Sequence, residues 1–253
     1  MYKNIAIYCF ISLISLSGTL ANAQTPGATL PQAQQYQVDS FLRDVKFNDA
    51  KSVKKALASG MSPNAMDDKG NSALTIAITE KSLDVAKLLI DTPSIDLDRP
   101  NLAGETPVML AAFTGSEELV RYLVEKRQVE INKPGWSALH YAATNGHLKI
   151  VAYLLDKNAY VDPESPNRTT ALMMAARGGH IEVVKLLLDR DADLSKMNNV
   201  KMTAIDFAEQ HNQTEIAEGL KSRWLKLYKK PFKSQIKWLG RLIIYSHNHY
   251  YVK

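Results

Sequence analysis

One feature limits what this chain can fold into more than any other: it repeats itself. The segments NSALTIAITEKSLDVAKLLID from Asn71, ETPVMLAAFTGSEELVRYLVE from Glu105, WSALHYAATNGHLKIVAYLLD from Trp136, TTALMMAARGGHIEVVKLLLD from Thr169 and MTAIDFAEQHNQTEIAEGLKS from Met202 align without gaps. A hydroxyl residue recurs at Ser72, Thr106, Ser137, Thr170 and Thr203, at spacings of 34, 31, 33 and 33 residues. A unit of that size cannot bury its own apolar face. Copies must stack, each covering the next, and an open array follows rather than a closed globule.

Each copy reads as two short helices. The hydroxyl suits the N-cap of the first, where it can satisfy an orphan backbone donor. Pro107 follows such a cap without penalty, because its missing N–H would have no intrahelical partner there. Ala77, Ala111, Ala142, Ala175 and Ala208 are small enough for neighbouring helices to approach closely. Gly115, Gly146 and Gly179 mark a turn that calls for positive φ. The second helix then carries apolar residues at helical spacing, as in Ile181, Val184, Leu187 and Leu188.

The opening Thr-Pro/Ala-Leu-His-x-Ala pattern at a period near 33 resembles the ankyrin repeat, over about residues 41–223. The resemblance implies an all-α fold, a solenoid of stacked helix-turn-helix units with projecting finger loops. The repeats would start near residues 70, 104, 135, 168 and 201. It also implies that His140, His147 and His180 hydrogen-bond backbone between repeats and have no part in metal binding or catalysis.

Both ends of the array depart from the pattern. Residues 41–70 align with a helix pair and finger but lack the opening motif, and Lys46, Lys51, Lys54 and Lys55 suggest the polar outer face of a cap. In the last copy Asn212 stands where the turn glycine would be. Between repeats, the finger EINKPGW is about two residues shorter than usual, and DTPSIDLDRPNLAG is slightly longer. Residues 24–40, rich in Gln, Ala and Pro, read as a flexible linker running into the cap helix.

The first 23 residues read as a signal peptide. Lys3 supplies the positive charge, the twelve residues Ile5–Leu16 form an apolar core, and Ala21-Asn22-Ala23 forms the cleavage site. Twelve residues span about 18 Å as a helix, too little to cross a bilayer. A mature chain would begin at Gln24 and be exported to the periplasm. The one cysteine, Cys9, lies in the part removed, so disulfides and thiolate chemistry are not expected.

No catalytic pattern stands out. G-x-S-x-G, H-E-x-x-H and G-x-x-x-x-G-K-[ST] do not occur. No cofactor is expected, and an unrecognised hydrolase is the remote alternative. His247 and His249 are the residual metal candidates, set in a short tail without further ligands nearby.

The charge is unevenly spread. Residues 24–220 hold 21 basic and 26 acidic residues, whereas residues 221–253 hold nine basic and none acidic. A mildly acidic body of this kind argues against nucleic acid as a partner. The basic, aromatic tail, residues 224–253, could extend the cap, lie on an anionic membrane surface or bind an acidic partner.

What the resemblance implies for function is a non-catalytic scaffold that grips a protein partner. Its concave face combines finger tips with the exposed side of each first helix. Carried over by position, the candidates are Leu102, Glu105, Phe113, Lys133, Trp136, Asn145, Thr169, Arg177 and Met202. Two narrower roles fit such a protein. The chain resembles periplasmic ankyrin proteins linked to catalase and peroxide defence, and equally those that neutralise a secreted toxic effector.

Overall fold

The structure is a computed structural model that describes residues 32–235. The span read as a signal peptide, the first part of the linker, most of the basic tail and the His247–His249 pair lie outside the described residues. Among the described residues the helices form six pairs: α1 (Gln32–Lys46) with α2 (Ala50–Ala58), α3 (Ala73–Thr79) with α4 (Leu83–Ile90), α5 (Pro107–Phe113) with α6 (Glu117–Arg121), α7 (Ala138–Thr144) with α8 (Leu148–Asp156), α9 (Ala171–Gly178) with α10 (Ile181–Asp189), and α11 (Ala204–Gln210) with α12 (Thr214–Tyr228). α6 runs on as a π-helical turn, Tyr122–Lys126. First helices pack on first helices in chain order, second helices form a second row, and each pair packs on itself.

The first pair stands where the sequence places a cap, but its helix already includes Gln32, the first described residue, inside the span read as linker. Gln and Ala are good helix formers. Val38, Phe41, Leu42 and Val45 then fall at i, i+3, i+4 and i+7, and the last three are buried. Lys46, Lys51, Lys54 and Lys55 face solvent.

The core is a continuous ladder of Ala, Leu, Ile and Val from Phe41 to Leu220. The small alanines at the helix contacts, Ala77, Ala111, Ala142, Ala175 and Ala208, are all fully buried. The expected caps form at Ser72, Thr170 and Thr203, whose side chains accept the N–H of Thr75, Met173 and Asp206. Thr106 and Ser137 open their helices with a capping box, and the Ser137 hydroxyl also lies 2.9 Å from Nδ1 of His140.

A residue at positive φ ends every first helix: Asn48, Lys81, Gly115, Gly146, Gly179 and Asn212. Glycine is therefore not obligatory at this turn. A second constraint decides where it is. A Cβ on Gly115 would lie 2.5 Å from the ring of His147, and one on Gly146 would strike the ring of His180. Those rings occupy the space over the preceding turn, and their Nε2 atoms reach Phe113 O and Thr144 O, each at 2.9 Å. Ser82 does the same work at the first junction through its hydroxyl, which donates to Lys46 O at 3.0 Å.

The fingers join the pairs. Their bases are tied from one repeat to the next: Asn64 accepts Asp96 N–H at 2.8 Å, Asn132 accepts Tyr160 N–H at 2.9 Å, and Asp162 accepts Asp193 N–H at 2.8 Å. From each base the tip, at positive φ, lies six residues on at Gly70 and at Arg168, but three residues on at Gly135. The EINKPGW finger is thus short by three residues rather than about two. Four fingers close on a side-chain turn, in which Asp67, Asn101, Ser165 and Asn198 accept the N–H four residues later. The short finger has lost the residues that would make that turn.

Candidate protein-binding face

The face made by the fingers and first helices carries, in every repeat, the residue just before the N-cap and those four, seven and eight positions after it. In the −1 row stand Asn71, Glu105, Trp136, Thr169 and Met202; in the +4 row, Ile76, Leu110, Tyr141, Met174 and Phe207; in the +7 row, Thr79, Phe113, Thr144, Arg177 and Gln210. The helix period brings these rows to one side.

Three of the candidate residues meet around one that the sequence reading passed over, Tyr141. Its ring sits edge-on to Phe113, with centroids 5.9 Å apart, and edge-on to Trp136 at 6.4 Å. Its hydroxyl donates to Glu105 Oε1 at 3.0 Å. The other carboxylate oxygen accepts from Asn101 Nδ2 at 2.9 Å. Neutral donors thus hold the Glu105 carboxylate, and among the described residues no ion pair engages it. Phe113 is 42% exposed, an unusual state for a phenyl ring, and Trp136 is half-buried against the ring of His140. The tip of the preceding finger presents Leu102, 82% exposed. The signal for Tyr141 was available in the +4 row, where the other copies hold Ile, Leu, Met and Phe.

The remaining candidates play other parts. Lys133 forms an ion pair with Asp98 at 2.6 Å, bracing the short finger on its neighbour. Asn145 is exposed, but its amide donates to Phe113 O at 2.8 Å, beside His147 on the same carbonyl. Arg177 lies at the far end of the face, where its Nε donates to His211 Nε2 at 3.2 Å. His211 stacks on Phe207. Met202 is half-buried at the base of the last finger. Thr169 is a correction. It is 2% exposed, its N–H goes to Ser165 Oγ and its carbonyl faces Nε2 of His140, so no partner can reach it. The cap at Thr170 draws its neighbour into the repeat junction.

His140, His147 and His180 bind backbone across the repeat junctions. Nδ1 of His140 accepts Ser137 N–H at 3.2 Å, so the proton sits on Nε2, which donates to Thr169 O at 2.9 Å. Both nitrogens are used by the neutral ring. Burial pulls its pKa down to about 4, against the smaller opposing effect of the bond to Thr169. Among the described residues there is no group of three or more His, Cys, Asp or Glu side chains arranged to hold a metal.

Similarity to known proteins follows the repeats. A family model described as ankyrin repeats (3 copies) matches residues 42–133, 93–165 and 159–226. The ankyrin repeat and SAM domain-containing protein 6 of Rattus norvegicus is 34% identical over 113 residues, 43% of this chain and 13% of that protein. The B-cell lymphoma 3 protein homolog of Mus musculus is 32% identical over 127 residues, 47% of this chain and 28% of that protein. The glycerophosphocholine phosphodiesterase gde1 of Schizosaccharomyces pombe is 30% identical over 112 residues, 44% of this chain but 10% of the enzyme. The chain thus spans less than a third of the length of each of these relatives. What it has in common with them is the repeat itself. Stacked helix pairs, their left-handed turns and a family match running from residue 42 to 226 make this chain a member of the ankyrin-repeat family.

Proposed function

We propose that this chain is a non-catalytic binding protein that grips a protein partner on the face built from its fingers and first helices. Ankyrin repeats generally mediate protein–protein interaction, and the family is typically non-catalytic. The observation that carries the reading is the cluster of Phe113, Trp136 and Tyr141 around the Glu105 carboxylate. Aromatic side chains supply much of the energy at interfaces, and they cluster near interface centres. A carboxylate held by neutral donors keeps its full charge for a cation from outside. The partner segment is therefore apolar with a Lys or Arg side chain directed at Glu105.

The short finger adds shape. Losing three residues from a two-armed loop draws its tip back by about 5 Å. In this proposal the retracted tip leaves a notch in the row of fingers beside Trp136, between the longer fingers that carry Leu102 and Asn167.

The chain is exported to the periplasm in this proposal, on the strength of Lys3, the apolar run Ile5–Leu16 and the Ala21-Asn22-Ala23 site. N-terminal sequencing of the exported protein should begin at Gln24; a retained N-terminus contradicts the assignment. The binding reading is tested by immobilising the mature chain, capturing its partner and repeating the capture with Glu105→Gln and Trp136→Ala. Both should recover far less of it. Equal recovery by all three proteins removes the site.

A further inference from the structure

The last helix ends in a feature that the repeat does not require. α12 has fifteen residues, where the second helices of the two preceding repeats have nine. Six extra residues carry the helix end roughly 9 Å further. The fully buried core stops at Leu220, and beyond it the half-buried Trp224 and Phe232 still pack against its edge. Beyond it Leu225 is 51% exposed, Leu227 56% and Tyr228 37%.

The chain then reverses. Lys229 adopts a left-handed conformation, its N–H returns to Leu225 O at 3.0 Å, and Phe232 folds back on Trp224 with ring centroids 5.1 Å apart. Tyr228 covers another part of Trp224 at 4.3 Å. The result is a small tip whose aromatic cluster is anchored on the end of the stack by Trp224 and Phe232, with Leu225, Leu227 and Tyr228 turned outward. Lys226, Lys229, Lys230 and Lys233 are exposed around it and make no ion pair among the described residues. No Asp or Glu occurs anywhere after Glu218.

We infer that this tip seats the protein on an anionic lipid surface. The distribution of its apolar residues favours lipid over a protein. At about 100° per residue, Leu225 and Leu227 lie on nearly opposite sides of the helix. A protein groove covers one face of a helix, whereas a fluid interface surrounds a tip from every side. Lys stems lie along apolar surface while their ammonium groups stay with the headgroups, and Tyr and Trp favour that same boundary. The tip lies at the end of the stack, two repeats away from Trp136 and Tyr141, so its role is independent of the finger face.

The test is flotation of the full chain with vesicles of phosphatidylcholine alone, and of phosphatidylcholine mixed with phosphatidylglycerol. Binding to the mixed vesicles only, weakening as salt is raised, is the expected result. Each of Lys226→Glu and Lys230→Glu should lower partitioning about fivefold or more. The pair Leu225→Asp and Leu227→Asp should lower it at least about tenfold. These side chains are solvent-exposed, so the melting curve should stay where it is and separate lost binding from lost folding. Three results would overturn the inference: no binding to the mixed vesicles, equal binding to both kinds, or tip variants that float like wild type. A fourth is binding of polyglutamate, abolished by the tip variants, in the absence of vesicle binding. That would assign the tip to an acidic protein.

Discussion

At His140 both ring nitrogens are committed to the junction between two repeats. The neutral ring accepts from Ser137 and donates to Thr169, and burial holds its pKa near 4. The folded value lies below the ordinary 6.5. The stability contributed is therefore complete above about 6.5 and is lost as pH falls through about 4, in full roughly 3 kcal/mol. Denaturant titrations of wild type and His140→Gln should diverge most above pH 6.5 and converge toward pH 4. A difference that stays constant over that range contradicts the buried neutral ring. Two glycines at positive φ, one in a finger and one at a helix turn, invite a second comparison. Gly104 and Gly146 both have positive φ, but a Cβ at Gly104 meets open space, whereas at Gly146 it meets the ring of His180. Gly104→Ala should cost only its backbone strain, about 1–3 kcal/mol. Gly146→Ala should cost more, because the displaced ring also gives up Thr144 O. Equal shifts in melting temperature would mean that the histidine clasp adds nothing. The roles of His140, His147 and His180 could be read from the repeat pattern. The burial of Thr169 could not, since a residue beside a cap can point either way and only the neighbouring repeat decides.

At the scale of elements, the finger between α6 and α7 is what distinguishes this array from a regular one. Three missing residues remove the side-chain turn that closes the other fingers, and Lys133 braces the shortened loop on Asp98 instead. Restoring three residues between Asn132 and Gly135, with Asn or Asp at the start of the new turn, should leave stability unchanged or raise it slightly. It should also fill the notch beside Trp136 and weaken partner binding by tenfold or more, measured by titration beside a melting curve. Unchanged binding would show that the notch is not used. The helices themselves were plain from the sequence, because cap, small residue, turn and apolar stripe all recur in register. Their limits were less plain. Gln32 to Ser40 looked like a spacer because polar Gln dominates the composition, although its apolar residues already keep helical spacing. The full loss in the EINKPGW finger is not legible in the sequence, because a loop has no internal period. Only the hydrogen bonds at its base fix the register.

Over the whole molecule, stacking makes stability a property of neighbours and leaves specificity to the surface the fingers and first helices share. That division explains what the chain discloses. Core positions repeat, so their role can be counted off from one copy to the next. Glu105, Phe113, Trp136 and Tyr141 occur once each at their positions, and their convergence appears only when adjacent repeats are packed together. The same logic separates the two ends of the account. The finger face should bind its partner without the tip of α12, and the tip should bind lipid without the finger face. The central claim is that the cluster around Tyr141 holds the partner. It is tested most directly by titrating the captured partner against wild type, Phe113→Ala and Trp136→Ala, with a melting curve for each. Either substitution should weaken binding by about 2 kcal/mol, roughly thirtyfold, while leaving the melting temperature nearly unchanged. If both variants bind like wild type, and substitution of the α12 tip lysines abolishes binding, the grip lies in the basic tip and the finger face is not the site.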